Sequence, residues 1–333
     1  MENKMNETYA VVLAAGKGTR MKSDLPKVLH PVCGKPMVQH IIDRLRAISV
    51  SEIVTVVGHK AEMIQEHVGD SVRYALQEEQ LGTAHAVMMA KDDLAGKPGT
   101  TLILTGDTPL ITERTLANLA NYHRETGAAA TILTSLVDDA TGYGRIVRDD
   151  TGDVARIVEH KDATEEEKAI TEINTGMFCF DNELLFEALD NVSTDNVQGE
   201  YYLPDVIEIL KKAGHTISAT STSRVEEGFG VNDRIQLSRA EHMMRERILE
   251  LHMNNGVTII DPSSTYIGAD VVVGRDSKIE PRVHLRGQTI IGERCVIGPN
   301  VDIMDFKAEA STKIHNYSMT YDVCKMPYAS TTS

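Results

Sequence analysis

The chain has 333 residues, more than one average domain holds, and 41% of them are apolar, enough for a sizeable core. Its formal net charge of −15 argues against DNA or an anionic membrane surface as a partner. No run of about 18 apolar residues suggests a membrane-spanning helix, residues 1–7 lack an apolar signal core, and Cys33, Cys179, Cys295 and Cys324 form no Cys-x-x-Cys pair, which fits a reducing cytosol without disulfides or zinc.

The first apolar run, Tyr9-Ala10-Val11-Val12-Leu13, reads as a buried strand. It stops in Ala14-Ala15-Gly16-Lys17-Gly18-Thr19-Arg20-Met21, with Pro26-Lys27 following. Small residues at a strand end let the backbone approach a ligand closely, and their N–H groups suit an anion. Lys17, Arg20 and Lys27 add positive charge in an acidic chain, so the ligand is expected to be phosphorylated. The bland reading is a glycine-rich turn with solvated cations. The third glycine of the dinucleotide fingerprint and the Gly-Lys-Ser/Thr of a P-loop are both missing, so neither a Rossmann dehydrogenase nor a P-loop ATPase is supported. The loop runs from residue 14 to about residue 36, a length that favours function.

Strand-like runs follow at residues 53–57, 72–76, 101–105 and 129–133, alternating with helical patterns at 37–48, 83–94 and 113–126. The alternation predicts a mostly parallel α/β sheet with helices on both faces. Ligands in such sheets sit beyond the carboxyl ends of the strands, and Gly16, Gln77 and Asp107 each lie just past one. Asp107, beside bound phosphates, is expected to hold Mg²⁺ through oxygen; the alternative is a turn or helix-capping aspartate, although Thr112 is better placed as the cap of the next helix. The amide of Gln77 both donates and accepts, as base recognition requires. Gly82-Thr83 opens a helix with free N–H groups, and Thr83 is also readable as its cap. Residues 141–145, 159–161 and 172–176 offer carboxylate, amide and glycine groups that suit sugar hydroxyls and an amide, though each alone is an ordinary loop.

Residues 234–253 read as one long helix with Leu237, Ala240, Met244, Ile248 and Leu251 as its apolar stripe, stopped by Gly256. Then Ile267, Val273, Ile279, Leu285, Ile291, Ile297 and Ile303 recur every six residues, a hexapeptide repeat that predicts a parallel β-helix of about two coils. In that register the next positions are Glu309, His315 and Tyr321, so the repeat is expected to end near Asp305.

The loop from Leu13 to Met21, with Pro26-Lys27, resembles the signature of sugar-1-phosphate nucleotidyltransferases. From about residue 8 to residue 305 the chain is similar to the bacterial bifunctional N-acetylglucosamine-1-phosphate uridyltransferase/glucosamine-1-phosphate N-acetyltransferase family. The resemblance implies UMP transfer from UTP to N-acetylglucosamine 1-phosphate, giving UDP-N-acetylglucosamine, a peptidoglycan precursor, and pyrophosphate. It implies Arg20 and Lys27 as catalytic groups on the phosphates, and Leu13, Ala14, Ala15, Gly16, Gln77, Gly82 and Thr83 around the nucleotide. Gly144, Glu159 and Asn174 would surround the sugar, and Mg²⁺ would lie on Asp107 and Asn232. For Asn232 the competing reading is a cap of the long helix.

The expected organisation is a Rossmann-like nucleotidyltransferase domain at 1–232, a linker helix at 233–256, a short left-handed β-helix at 257–305 and an irregular tail at 306–333. Relatives carry acetyl transfer on later coils, so no acetyltransferase activity is expected of this chain, and a homotrimer through the β-helix is expected to be weakened. The protein is expected to be cytoplasmic. Two other readings are an enzyme of the same class with another sugar or base, and a silent regulatory or scaffolding subunit; the intact set of Arg20, Lys27, Asp107 and Asn232 argues against the latter.

Overall fold

The computed structural model describes residues 7–316 and 318–320. They divide into two units, one of residues 7–30 and Met37–Gln236, the other of Pro31–Pro36 and the described residues from Leu237 onward. A short hairpin inside the first loop, Pro31–Val32 paired with Lys35–Pro36, thus goes with the second unit.

The first unit is built on β1 (Thr8–Leu13), β2 (Glu52–Val57), β3 (Arg73–Leu76), β4 (Thr100–Thr105), β5 (Ala130–Leu136), β6 (Arg145–Arg148), β7 (Val154–Val158), β8 (Glu172–Asp181) and β9 (Ile217–Ser221). They form one nine-stranded sheet in the order β9-β5-β8-β4-β1-β2-β3, with β6 on β8 and β7 on β6. β4, β1, β2 and β3 are parallel, as are β9 and β5, whereas β8 runs antiparallel between β4 and β5. The Glu172 to Gly176 stretch therefore belongs to a strand rather than a loop, and a register shift between Asn174 and Phe178 bends it.

Alternation in β1 sends its side chains to opposite faces. Val11 joins Val54, Val56 and Ile103 in one core, together with residues of α3 (Thr83–Met88), α4 (Lys91–Leu94), α7 (Asn182–Leu189) and α8 (Asp205–Lys212), whereas the short α6 (Glu165–Lys168) buries none of its residues. Ala10 and Val12 join Ile53, Leu102 and Leu104 in the other, together with α1 (Met37–Ala47), α2 (Ala61–Val68) and α5 (Glu113–Thr126). The helix expected over residues 83–94 is thus two short ones. Because Leu13 pairs with both Val56 and Thr105, β1, β2 and β4 end level. Their ladders run on past the strand ends, through Ala14 N to Val56 O, Gly106 N to Leu13 O and Gln77 N to Val57 O, each 2.8 Å. The chain leaving each strand is thereby held on one rim.

α9 (Arg234–Asn254), which belongs to the second unit from Leu237 onward, buries Ala240, Met244, Leu249 and His252. Leu251, expected on the apolar stripe, is 58% exposed. The buried face advances by steps of four to His252, an imidazole that hydrophobicity alone does not place inside. Gly256, at φ +88°, follows the helix.

Beyond it, short parallel strands stack in three columns, with Ile267, Val273, Ile279, Leu285, Ile291, Ile297 and Ile303 all buried. The stacking does not stop at Asp305. Lys307–Ala308, Lys313–Ile314 and Met319–Thr320 pair with the coil before them, and the buried positions are Ala308 and half-buried Ile314 instead of Glu309 and His315. One residue is missing between Ile303 and Ala308, so a strict count of six loses the register. Asp305 turns that tight corner at φ +52°, and its carboxylate accepts from Gln288 N at 2.8 Å. Tyr321 and Cys324, with the rest of the expected irregular tail past residue 320, lie outside the described residues.

Candidate active site

The rim at the carboxyl ends of the strands opens into a cleft of about 350 Å³ lined by Leu13, Ala14, Ala15, Gly16, Lys27, Gln77, Gly82, Thr83 and Asp107. All of these were expected at the site from sequence. Thr105, Gln80 and Glu200 line it too and were not singled out from the sequence.

Gly58 is a further residue that sequence reasoning passed over. A Cβ there would lie 2.9 Å from both Ala15 O and Gln77 O, so only glycine lets those two segments close together. The available signal was its place directly after β2, matching Gly16 after β1 and Gly106 after β4.

The side of the cleft formed by Gln77, Gly82 and Thr83 is stiffened from behind. Gln77 is 3% exposed; its Nε2 donates to Gly82 O at 3.2 Å and lies 3.0 Å from His85 Nδ1. Its amide nitrogen thus braces the loop, leaving Oε1 as the group available to a ligand. Gly82, not Thr83, is the N-cap of α3. The Thr83 hydroxyl instead accepts from Leu203 N at 2.9 Å, while Tyr201 N donates to Leu81 O at 2.8 Å and Ala84 N to Tyr201 O at 2.9 Å.

The charged residues converge. Lys27 Nζ contacts Asp107 Oδ2 directly and lies 3.2 Å from Asn232 Oδ1, which also accepts from Arg20 Nη2 at 2.9 Å. Neither oxygen-bearing residue is a helix cap. Thr112 caps α5 through Thr115 N at 3.3 Å, and Asp233 accepts from Gln236 N at 2.8 Å at the start of α9. With Asp233 in that role, Asn232 is free to turn toward the cations. Asp107 O accepts from Val231 N at 2.8 Å, which pins the 230–232 loop to the rim. Arg234 Nε donates to Met21 O at 3.1 Å and so secures the Thr19–Met21 turn that carries Arg20.

Asp107 Oδ2 and Asn232 Oδ1 already share one ammonium, so two hard oxygen donors point at a common cation position. That donor set suits Mg²⁺, which takes few ligands from protein and the rest from water and phosphate. Among the described residues no group of three or more His, Cys, Asp or Glu forms a cage that would hold a metal by protein alone.

Gly144, Glu159 and Asn174 form a second cluster. Asn174 N donates to Gly144 O at 2.9 Å, and a Cβ on Gly144 would stand 3.3 Å from Glu159 Oε1 and 3.5 Å from Asn174 Cβ. The two clusters adjoin, because a Cβ on Gly176 would be 3.5 Å from Thr105 Cγ2 of the cleft wall, and Asp107 is near enough to add to the upward shift that burial imposes on the Tyr143 phenol. Burial also raises the carboxyl of Glu159, with Asp162 and Asp205 adding to it. Arg145, 2% exposed, contacts Tyr143 O and lies 3.4 Å from His160 Nδ1, so it ties together the strands that carry Gly144 and Glu159.

A family model described as nucleotidyl transferase matches residues 9–223, and one described as bacterial transferase hexapeptide (six repeats) matches residues 264–301. The chain is 59% identical over 301 residues to the bifunctional protein GlmU of Listeria monocytogenes serotype 4a, covering 90% of this chain and 66% of that protein. It is 56% identical over 315 residues to that of Listeria innocua, covering 95% and 69%, and 59% identical to that of Enterococcus faecalis, covering 90% and 66%. The chain thus spans about two thirds of the length of these relatives. A solved structure described as a glucose-1-phosphate thymidylyltransferase from Bacillus anthracis shares the fold, with a TM-score of 0.58 at 20% identity over 72% of this chain and 96% of that one. The chain belongs to the nucleotidyl transferase family and, within it, to the group of the bifunctional protein GlmU.

Proposed function

We propose that the protein transfers UMP from UTP to N-acetylglucosamine 1-phosphate, giving UDP-N-acetylglucosamine and pyrophosphate. The observation that carries this reading is the convergence of Lys27, Arg20, Asp107 and Asn232 beside a cleft lined by Leu13, Ala14, Ala15, Gly16, Gln77, Gly82 and Thr83. The sugar phosphate's oxygen attacks the α-phosphorus of UTP in line, the new P–O bond forms as the bond to the β-phosphate oxygen breaks, and pyrophosphate leaves with that electron pair. No covalent enzyme intermediate is needed.

Catalysis is then chiefly positioning and charge neutralisation. Lys27 faces the α-phosphate and the sugar phosphate, and Arg20 faces the departing phosphates. Gln77 Oε1 accepts from the base, while Gly82 and Thr83 hold the nucleotide. Glu159, Asn174 and the backbone of Gly144 take the sugar. Asp107 and Asn232 Oδ1 would hold Mg²⁺, which supplies Lewis-acid polarisation and a template for the phosphates when bound.

Two further readings accompany the reaction. The β-helix leaves Val272 and Ile290 stacked and exposed at 56% and 44%, which supports association into a homotrimer through that domain, testable by light scattering. Cys33, Cys179 and Cys295 are free and buried, and no helix of the described residues is long and apolar enough to cross a membrane, which supports a cytoplasmic setting.

Pyrophosphate release from UTP, measured with and without N-acetylglucosamine 1-phosphate and Mg²⁺, tests the proposal. Release that requires both supports it, and no release from the complete mixture overturns it. Asp107→Ala is expected to keep the fold and lose about 10²-fold or more in kcat. Equal rates with all nucleoside triphosphates would refute the role of Gln77.

A further inference from the structure

We propose that Lys27 and Arg20 are resident counter-cations of the metal-binding oxygens, so that a divalent cation loads at Asp107 and Asn232 only as nucleotide phosphates draw the two side chains away. The inference deepens the proposed function and rests on its assignment of the metal ligands. The Lys27 ammonium touches Asp107 Oδ2 and Asn232 Oδ1 together and so occupies the point at which the two oxygens converge. Arg20 binds the same Asn232 oxygen. Among the described residues, Asp107 is the one carboxylate that Lys27 contacts, and Arg20 contacts none. Two positive side chains therefore stand at this pair of oxygens, which carries one formal negative charge.

A divalent ion entering that position meets two like charges at contact range and must displace an ammonium from its carboxylate. A bound triphosphate reverses the balance, since its oxygens offer both side chains an alternative anion. The cations are built for such a shift. Lys27 begins a short turn anchored by buried Val28 and Leu29, and Arg20 sits in one anchored by buried Met21, so the long side chains can swing while the backbone stays in place. Metal and nucleotide affinities are then positively coupled, each raising the other by the same factor.

The test is Mn²⁺ binding to the full chain, followed by the spin-resonance signal of free Mn²⁺. It is run with and without a non-hydrolysable methylene analogue of UTP, without sugar phosphate, and corrected for Mn²⁺ held by free analogue. Without nucleotide, Lys27→Met and Lys27→Gln are each expected to bind Mn²⁺ about tenfold or more tightly than the parent, and Arg20→Met to show a smaller gain. The analogue is expected to raise Mn²⁺ affinity more in the parent than in the Lys27 variants, with thermal melts confirming that each variant is folded. No gain in either folded Lys27 variant, or undiminished coupling, overturns the proposal. Asp107→Asn separates this failure from that of the underlying reading. If it abolishes Mn²⁺ binding while the Lys27 variants show no gain, only the counter-cation role falls. If it leaves binding unchanged, the metal assignment itself falls.

Discussion

The backbone of Tyr201 fills the space that a side chain at position 82 would need. A Cβ on Gly82 would lie 2.7 Å from Tyr201 N and 2.9 Å from Tyr201 C, at a φ of +122° that other residues rarely adopt. The loop proposed to face the nucleotide is thus held by chain more than a hundred residues away, through Tyr201 N on Leu81 O and Ala84 N on Tyr201 O.

Gly82→Ala is therefore expected to displace the loop, at a cost of roughly 1–3 kcal/mol in stability, and to raise KM for UTP by about tenfold or more. Gly16→Ala provides the contrast. A Cβ at Gly16 meets nothing within 4 Å, so its melting temperature is expected to match the parent's while UTP binding weakens, because the added methyl enters the cleft. Chemical denaturation together with UTP kinetics on both variants checks the pair. A Gly16→Ala protein with ordinary UTP kinetics would show that the nucleotide does not approach Gly16.

Asn182 is fully buried at the far end of β4 from the rim. Its Nδ2 donates to Leu94 O at 2.7 Å and Lys97 O at 2.8 Å, and its Oδ1 accepts from Thr101 Oγ1 at 2.6 Å. Asn182→Ala removes all three bonds, leaving the buried Thr101 hydroxyl without its acceptor, and is expected to cost about 2–4 kcal/mol. Because the site lies at the other end of the strand, kcat at a temperature where the variant stays folded is expected to be unchanged. Urea denaturation and initial rates measure both.

His123 lies in the core with Nδ1 2.9 Å from Thr131 Oγ1, and burial pulls its pKa down to about 4, with nearby Asp181 opposing and Arg124 adding. The unfolded chain takes up this proton near the ordinary value of 6.5, and the folded chain does so only near 4. The stability tied to this group is therefore complete above pH 6.5 and is lost as pH falls from 6.5 toward 4, by up to about 1.4 kcal/mol per pH unit. His123→Gln removes the titration. The difference in unfolding free energy between parent and variant is expected to shrink across that window, and a constant difference would contradict the assignment.

In the proposed reaction Glu159 accepts from a sugar hydroxyl, more strongly when ionised, and its pKa is raised by burial first, then by Asp162 and Asp205. KM for the sugar phosphate is expected to climb as pH falls through a value above the normal glutamate range. Asp205→Asn removes one negative neighbour and is expected to move that limb to lower pH, with kcat at neutral pH little affected. Asp205 is itself raised to about 6, by burial, then Glu208 and Asp162. Its folded pKa exceeds the unfolded one, so it destabilises increasingly as pH rises from about 4 to about 6, and the variant is expected to be no less stable at neutral pH.

Much of the site was legible because its parts occupy equivalent places in a repeated pattern. Strand, then small or polar residue, recurs at Leu13-Ala14, Val57-Gly58, Leu76-Gln77 and Thr105-Gly106-Asp107, and period-two hydrophobicity locates each strand end. Asn232 was less legible, since a polar residue before a long helix reads equally as its cap. Only the bond from Gln236 N to Asp233 assigns the capping to the next residue. The first half of β8 was hidden for another reason: Asn174 and Gly176 have poor strand propensity, and pairing with β5 overrides it.

Composition and periodicity by themselves determined the two architectures, because burial of apolar side chains at period two, period 3.6 and period six permits few alternatives. The reading of the first loop as a phosphate site was likewise local, since small residues and cations act over a few ångströms of their own chain. What the tertiary structure decided is contact between residues distant in sequence. It brought Lys27 onto Asp107 and Asn232, set the Tyr201 backbone against Gly82, gathered negative charge around Glu159, and absorbed the one-residue deletion after Ile303 at the Asp305 corner. None of these follows from a local pattern, because each depends on where the sheet and the coils place segments that the sequence keeps apart.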